Sequence, residues 1–242
     1  MNGVSRPRLP LAMILTTLAV AMGVAACGGS PTGPNGSGPA VALTANVVDP
    51  ESVNAVSDFN SCSGHPFPEN TSPNSAKNYF WPNSTNFSTN GVLPEYAVCN
   101  GTAGQNSDDT AANEQDRGQT LHLYCDNSST SVRYFHLAFT PGLLGQHVHA
   151  GDLMGYASMV GTGQAPSVTW QNSSNFDVAV IQKGNDNTTQ NYFAALDAST
   201  FAAWAARGLT SVVQTVNPGN PTCASFLSAP GSPDIFVFTP AR

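Results

Sequence analysis

Residues 132–158 read VRYFHLAFTPGLLGQHVHAGDLMGYAS, and the fold of the chain is decided on this stretch. Residues 132–139 alternate aromatic, aliphatic and polar side chains as a strand does, and Pro141-Gly142 closes the run with a turn pair. Val148 precedes a second turn at Gly151-Asp152, and an apolar run follows over residues 153–160. Gly145, Gly151, Gly155 and Gly161 recur along it, as expected where a small sheet bends sharply or strands approach closely. The pattern predicts a mainly β domain.

Working outward, residues 92–98, 120–124, 168–170 and 176–182 read as further strands. Residues 106–117 form a polar, acidic excursion of the kind that makes an exposed loop. Residues 58–82 read as a loop dense in Pro, Ser and Asn, yet they hold Phe59, Phe67, Tyr79, Phe80 and Trp81. So many large aromatics imply that the loop lies on the body of the domain. Residues 41–56 suggest no element. After Lys183 the character changes: residues 184–190 are polar and turn-forming. Asp197 then suits the N-cap of a helix with Phe201, Trp204 and Ala205 on one face, ended by Gly208. Residues 234–238 have strand character, and no repeat of solenoid length occurs.

The start of the chain suggests an address. Arg6 and Arg8 precede an apolar stretch at 9–26 that ends in Val24-Ala25-Ala26-Cys27. Small residues before a cysteine are the mark of a bacterial lipoprotein signal, with Cys27 as the lipidated first residue of the mature chain. The expected organisation is a signal peptide at 1–26 and a Gly/Pro/Ser tether at 27–40. A β domain at 41–183 and a C-terminal extension at 184–242, with one helix and a terminal strand, complete it. Loss of Arg6 and Arg8 leaves six basic residues against fifteen acidic ones, a balance of −9. Such a surface excludes nucleic acid as a partner, because phosphates call for Lys and Arg clusters.

Cys62, Cys99, Cys125 and Cys223 remain besides Cys27, too widely spaced for a CxxC zinc site. In an oxidising envelope two disulfides are the expected use, and the strand-like surroundings of Cys99 and Cys125 favour that pair. Among the histidines, His147-Val148-His149 offers an HxH pair, a common zinc-binding arrangement on a strand. Its place directly before the Ala150-Gly151-Asp152 turn argues instead for two exposed side chains. His136 interrupts an aromatic strand and is expected to face away from Phe135 and Leu137. His65 and Glu69, spaced HxxxE around two prolines, can meet one cation if the loop curls.

The order of GHPFPE (64–69), YAVCNGTAG (96–104), YFHL (134–137), VHAGDLMGYAS (148–158) and FDVAV (176–180) resembles the lysostaphin and LytM-type zinc endopeptidases, which cut peptidoglycan cross-bridges. The resemblance covers roughly residues 58–182. It implies a compact duplicated-hybrid-motif fold, sandwich- or barrel-like. Carried over by motif, His65 falls on the first metal ligand, Glu69 on the family's aspartate and His136 on the catalytic histidine. The family's HxH falls on Asn175-Phe176-Asp177, so Asp177 is the implied third ligand and neither histidine survives. Asn175 has no proton to exchange near neutral pH.

One nitrogen and two carboxylates are harder than the family's set and select zinc less sharply over other divalent cations. Without a metal, one of the two carboxyls is expected to have a raised pKa. The reading from sequence is an envelope lipoprotein with a degenerate endopeptidase domain, holding no cofactor and binding peptidoglycan or an envelope protein. The alternatives are a metal-dependent peptidoglycan hydrolase using zinc or another divalent cation at His65, Glu69 and Asp177, and a purely structural lipoprotein.

Overall fold

A computed structural model describes residues 42–68, 72–83, 93–105, 119–158, 175–183, 185–218, 221–223 and 234–240. The strands expected at 168–170, the loop at 106–117, Glu69, Gly161 and the whole leader with Cys27 lie outside the described residues. The chain is mainly β, and every strand pairing is antiparallel.

The strands are β1 (Val53–Ser57), β2 (Asn78–Pro82), β3 (Pro94–Tyr96), β4 (Gly101–Gly104), β5 (Gln119–Cys125), β6 (Thr130–Phe139), β7 (His147–Val148), β8 (Leu153–Ala157), β9 (Phe176–Gln182), β10 (Asn185–Gln190) and β11 (Ile235–Val237). The main path runs β11-β1-β2-β9-β6-β5-β4-β7, with β10 added on β9 and β3 joined through β8 to β6. The long strand β6 serves three partners. Residues 130–135 pair with β9, the opposite edge pairs with β5, and residues 137–139 pair with β8.

The change of partner happens at His136, which adopts a left-handed backbone (φ 59°). That conformation is uncommon for a residue with a Cβ and breaks the alternation of the strand. Phe135 joins a small apolar cluster with Phe67, Ala76, Ala179 and Ile181, whereas Leu137 joins the main core. The expectation that Phe135 and Leu137 share a face therefore fails, because an in-line strand is assumed and a bulge is found. Beyond it, Gly155 of β8 comes so close to β6 that an added Cβ would lie 2.4 Å from the Ala138 carbonyl oxygen.

Two segments read as loops are strands. Residues 78–82 form the central strand β2, which sends Phe80 into the main core and Tyr79 and Trp81 to the other face. Their aromatic content suits a pleated, doubly covered strand, and the flanking polar residues masked it. Residues 185–190 pair with β9 as an edge strand, where polar side chains face water at no cost. The helix at Ala198–Ala206 (α2) begins at Asp197, whose carboxylate accepts from the Thr200 N–H at 2.6 Å. A short helix, α1 (Tyr192–Ala195), precedes it. Tyr192, Phe193 and Trp204 from these helices pack around Phe80 in the main core, so this part of the chain is built into the β structure.

Cys99 is bonded to Cys125 across β4 and β5, as expected, and Cys62 to Cys223. The segment around Cys62 is further tied to residue 234: the Asp234 carboxylate accepts from the Cys62 N–H (3.1 Å), and its carbonyl accepts from the Asp58 N–H (2.7 Å). Partial burial first, and the Asp234 charge second, push the Asp58 carboxyl up to about 6. A carboxyl with a raised folded-state pKa keeps its proton when folded and releases it when unfolded. Its stability contribution is full below pH 4 and falls as pH rises through about 6. Asp58→Asn is expected to match the wild type at pH 4 and exceed it at pH 7 by on the order of 1 kcal/mol, screening allowed for. Urea denaturation at the two pH values measures this, and equal offsets at both would refute it.

Candidate functional site

The antiparallel register of three strands builds the site. Asp177 on β9 lies opposite Tyr79 on β2 and opposite Phe135 on β6. Lys77, two residues before Tyr79, points the same way and is fully buried, as is Asp177. The Lys77 ammonium contacts the Asp177 carboxylate. It also lies 4.0 Å above the Phe135 ring, 4.9 Å from that of Tyr79 and 5.4 Å from that of Phe67. An ammonium stripped of water is held in this way by ring faces and one carboxylate.

His65 comes from the preceding loop. Its backbone N–H donates to the Tyr79 hydroxyl (3.2 Å), and its Nδ1 lies 3.0 Å from the Pro66 carbonyl oxygen. A carbonyl only accepts, so the Nδ1 carries the proton and the Nε2 presents a lone pair. That lone pair faces the Lys77 Nζ at 2.9 Å. His136, placed by the bulge in β6, brings its Nε2 to 3.4 Å from the Asp177 Oδ1 and is partly open to solvent. His65, His136 and Asp177 thus converge, as the sequence leads one to expect, but the cation at their centre is the side chain of Lys77.

The electrostatics follow. Burial alone would raise the pKa of Asp177, but the charge of Lys77, aided by His136 and His65, outweighs it and leaves the carboxyl below its ordinary value. Burial would lower that of Lys77, and Asp177 and Tyr79 reverse the effect. Of the two carboxyls in that expectation, Asp177 is kept charged, and Glu69 lies outside the described residues. A raised carboxyl is found on a different residue. Glu95 of β3 is fully buried with neither carboxyl oxygen hydrogen-bonded among the described residues, and burial followed by the Asp177 charge drives its pKa well above the usual range.

His147 and His149 are exposed at the β4–β7 edge. The His147 Nε2 is 2.7 Å from the Asp126 Oδ2, and the His149 Nδ1 is 3.6 Å from the Asp152 Oδ2. Asn175 immediately precedes β9, and no group of three metal-ligating side chains is found among the described residues.

Lys77 and Glu95 are the site residues that sequence reading missed. Lys77 opens the aromatic run Asn78-Tyr79-Phe80-Trp81, and Glu95 stands among apolar neighbours. A charged residue embedded in such a run is the available signal, since Lys and Glu are almost never fully buried unless paired.

No family model matches the chain, and no curated protein does. Solved structures do. The antimicrobial peptidase lysostaphin from Staphylococcus simulans superposes with a TM-score of 0.45 at 14% identity, over 67% of this chain and 56% of that one. The chain is similar in fold to the lysostaphin- and LytM-type peptidases. A zinc-containing peptidase from Vibrio cholerae gives 0.40 at 20% identity, over 65% of this chain and 40% of that one. Csd3 of Helicobacter pylori gives 0.42 at 13% identity, over 82% of this chain and 47% of that one. Matches of this order are a likeness of β-rich fold, and the chain spans little more than half of lysostaphin.

Zinc is the metal that the motif resemblance implies, and the described residues do not fit it. A divalent cation between His65 and Asp177 would share that space with the Lys77 ammonium. Like charges at that separation, between buried groups, cost several kcal/mol.

Proposed function

We propose that the chain is a lipid-anchored envelope protein, attached through Cys27, whose endopeptidase-like domain binds peptidoglycan peptide without cutting it. One observation carries this reading: a buried lysine ammonium occupies the position between His65 and Asp177 at which a hydrolase would hold its metal. Asn175, with no proton to exchange near neutral pH, supports the same conclusion. The partly exposed rings of His65 and His136 rim the site, where a bound peptide would meet them.

The full chain, purified in detergent, is expected to sediment with insoluble peptidoglycan and to leave its turbidity unchanged, with or without added zinc. Clearing that EDTA abolishes would overturn the non-catalytic reading. Failure to sediment would overturn the binding reading.

A further inference from the structure

Lys77 and Asp177 combine three features that rarely meet. The two are in contact, Lys77 directly before β2 and Asp177 on the adjacent β9; both are fully buried, and the rings of Phe67, Tyr79 and Phe135 surround the ammonium. We propose that Lys77 and Asp177 become joined by an intramolecular isopeptide bond, an amide between the Lys77 Nζ and the Asp177 Cγ.

The step balances without a co-reactant. Transfer of one proton from the ammonium to the carboxylate gives a neutral amine and a carboxylic acid in contact. The amine lone pair attacks the Asp177 Cγ, a second proton passes from nitrogen to the departing hydroxyl, and one water leaves. No atom is oxidised or reduced. The amide removes both charges, and with them the desolvation penalty that a buried ion pair carries. The His136 side marks the way out for the water, since that ring reaches solvent while contacting Asp177.

The bond would link the residue that directly precedes β2 to β9, and these two strands are already joined by backbone bonds. The amide would therefore fasten the sheet centre without altering the path of the chain. This inference stands apart from the binding reading. An unjoined Lys77 still fills the metal position, whereas a joined protein that cleaved peptidoglycan would sink only that reading.

The test is peptide mass mapping of the full, reduced and denatured chain after trypsin. The expected result is resistance to cleavage after Lys77 and a branched peptide containing Lys77 and Asp177, lighter than its two parts by one water. Asp177→Asn should give the same branched peptide by loss of ammonia, so the two proteins converge on one product mass. Lys77→Met should give only linear peptides. Linear peptides with cleavage after Lys77, in wild-type protein whose disulfides have formed, would overturn the proposal without reference to any variant.

Discussion

Measured against wild-type protein in which Lys77 and Asp177 are still unjoined, Lys77→Met is expected to destabilise the domain by about 3–5 kcal/mol, the usual cost of leaving one member of a buried charge pair without its partner. Asp177 cannot reach water, since its side chain is wholly enclosed. Without the ammonium its carboxyl must take up a proton or carry an uncompensated charge. The double variant Lys77→Met, Asp177→Leu is expected to recover most of the loss, because two apolar side chains replace a pair whose desolvation roughly cancels its attraction. Urea midpoints of the two variants decide the matter. A single variant within 1 kcal/mol of the wild type would show that the ion pair does not hold the site together.

Breaking Cys62–Cys223 is expected to cost more than breaking Cys99–Cys125. The first closes a separation of 161 residues and the second one of 26. On the chain-entropy account these correspond to about 5 and about 3.5 kcal/mol, drawn from restriction of the unfolded chain. Serine pairs at each bridge, compared by thermal or urea unfolding, should keep that order. A larger loss at Cys99–Cys125 would mean that strain or residual structure, and not loop length, governs the bridges.

The strands that sequence reading found were those with regular alternation. Residues 176–182 appear as β9 with the same bounds, and the Asp197 cap and the helix behind it are where the side-chain chemistry puts them. The strand at 78–82 was hidden because its membership depends on neighbours 100 residues away on β9, a fact that no local window contains. The site was legible in part. His65, His136 and Asp177 meet as the motif order suggests, yet the motif could not disclose that a lysine outside it reaches the same point. Side-chain convergence of that kind depends on register and on one bulge. His136 shows this most clearly, since its left-handed backbone is what turns the ring towards Asp177.

The pairing of β11 with β1 bears on the order of assembly. Residues 53–57 find one flanking strand at 78–82 and the other only at 235–237, while Cys62 waits for Cys223. Arg207 adds to this closure by donating to carbonyls of Pro50, Val53 and Thr239 at once. A chain released from one end cannot complete its first edge until almost all of it is free. Contacts so distant in sequence are formed late and slowly. The β1 edge is therefore closed only after residues 235–237 have been made, and the Cys62 bridge only after Cys223.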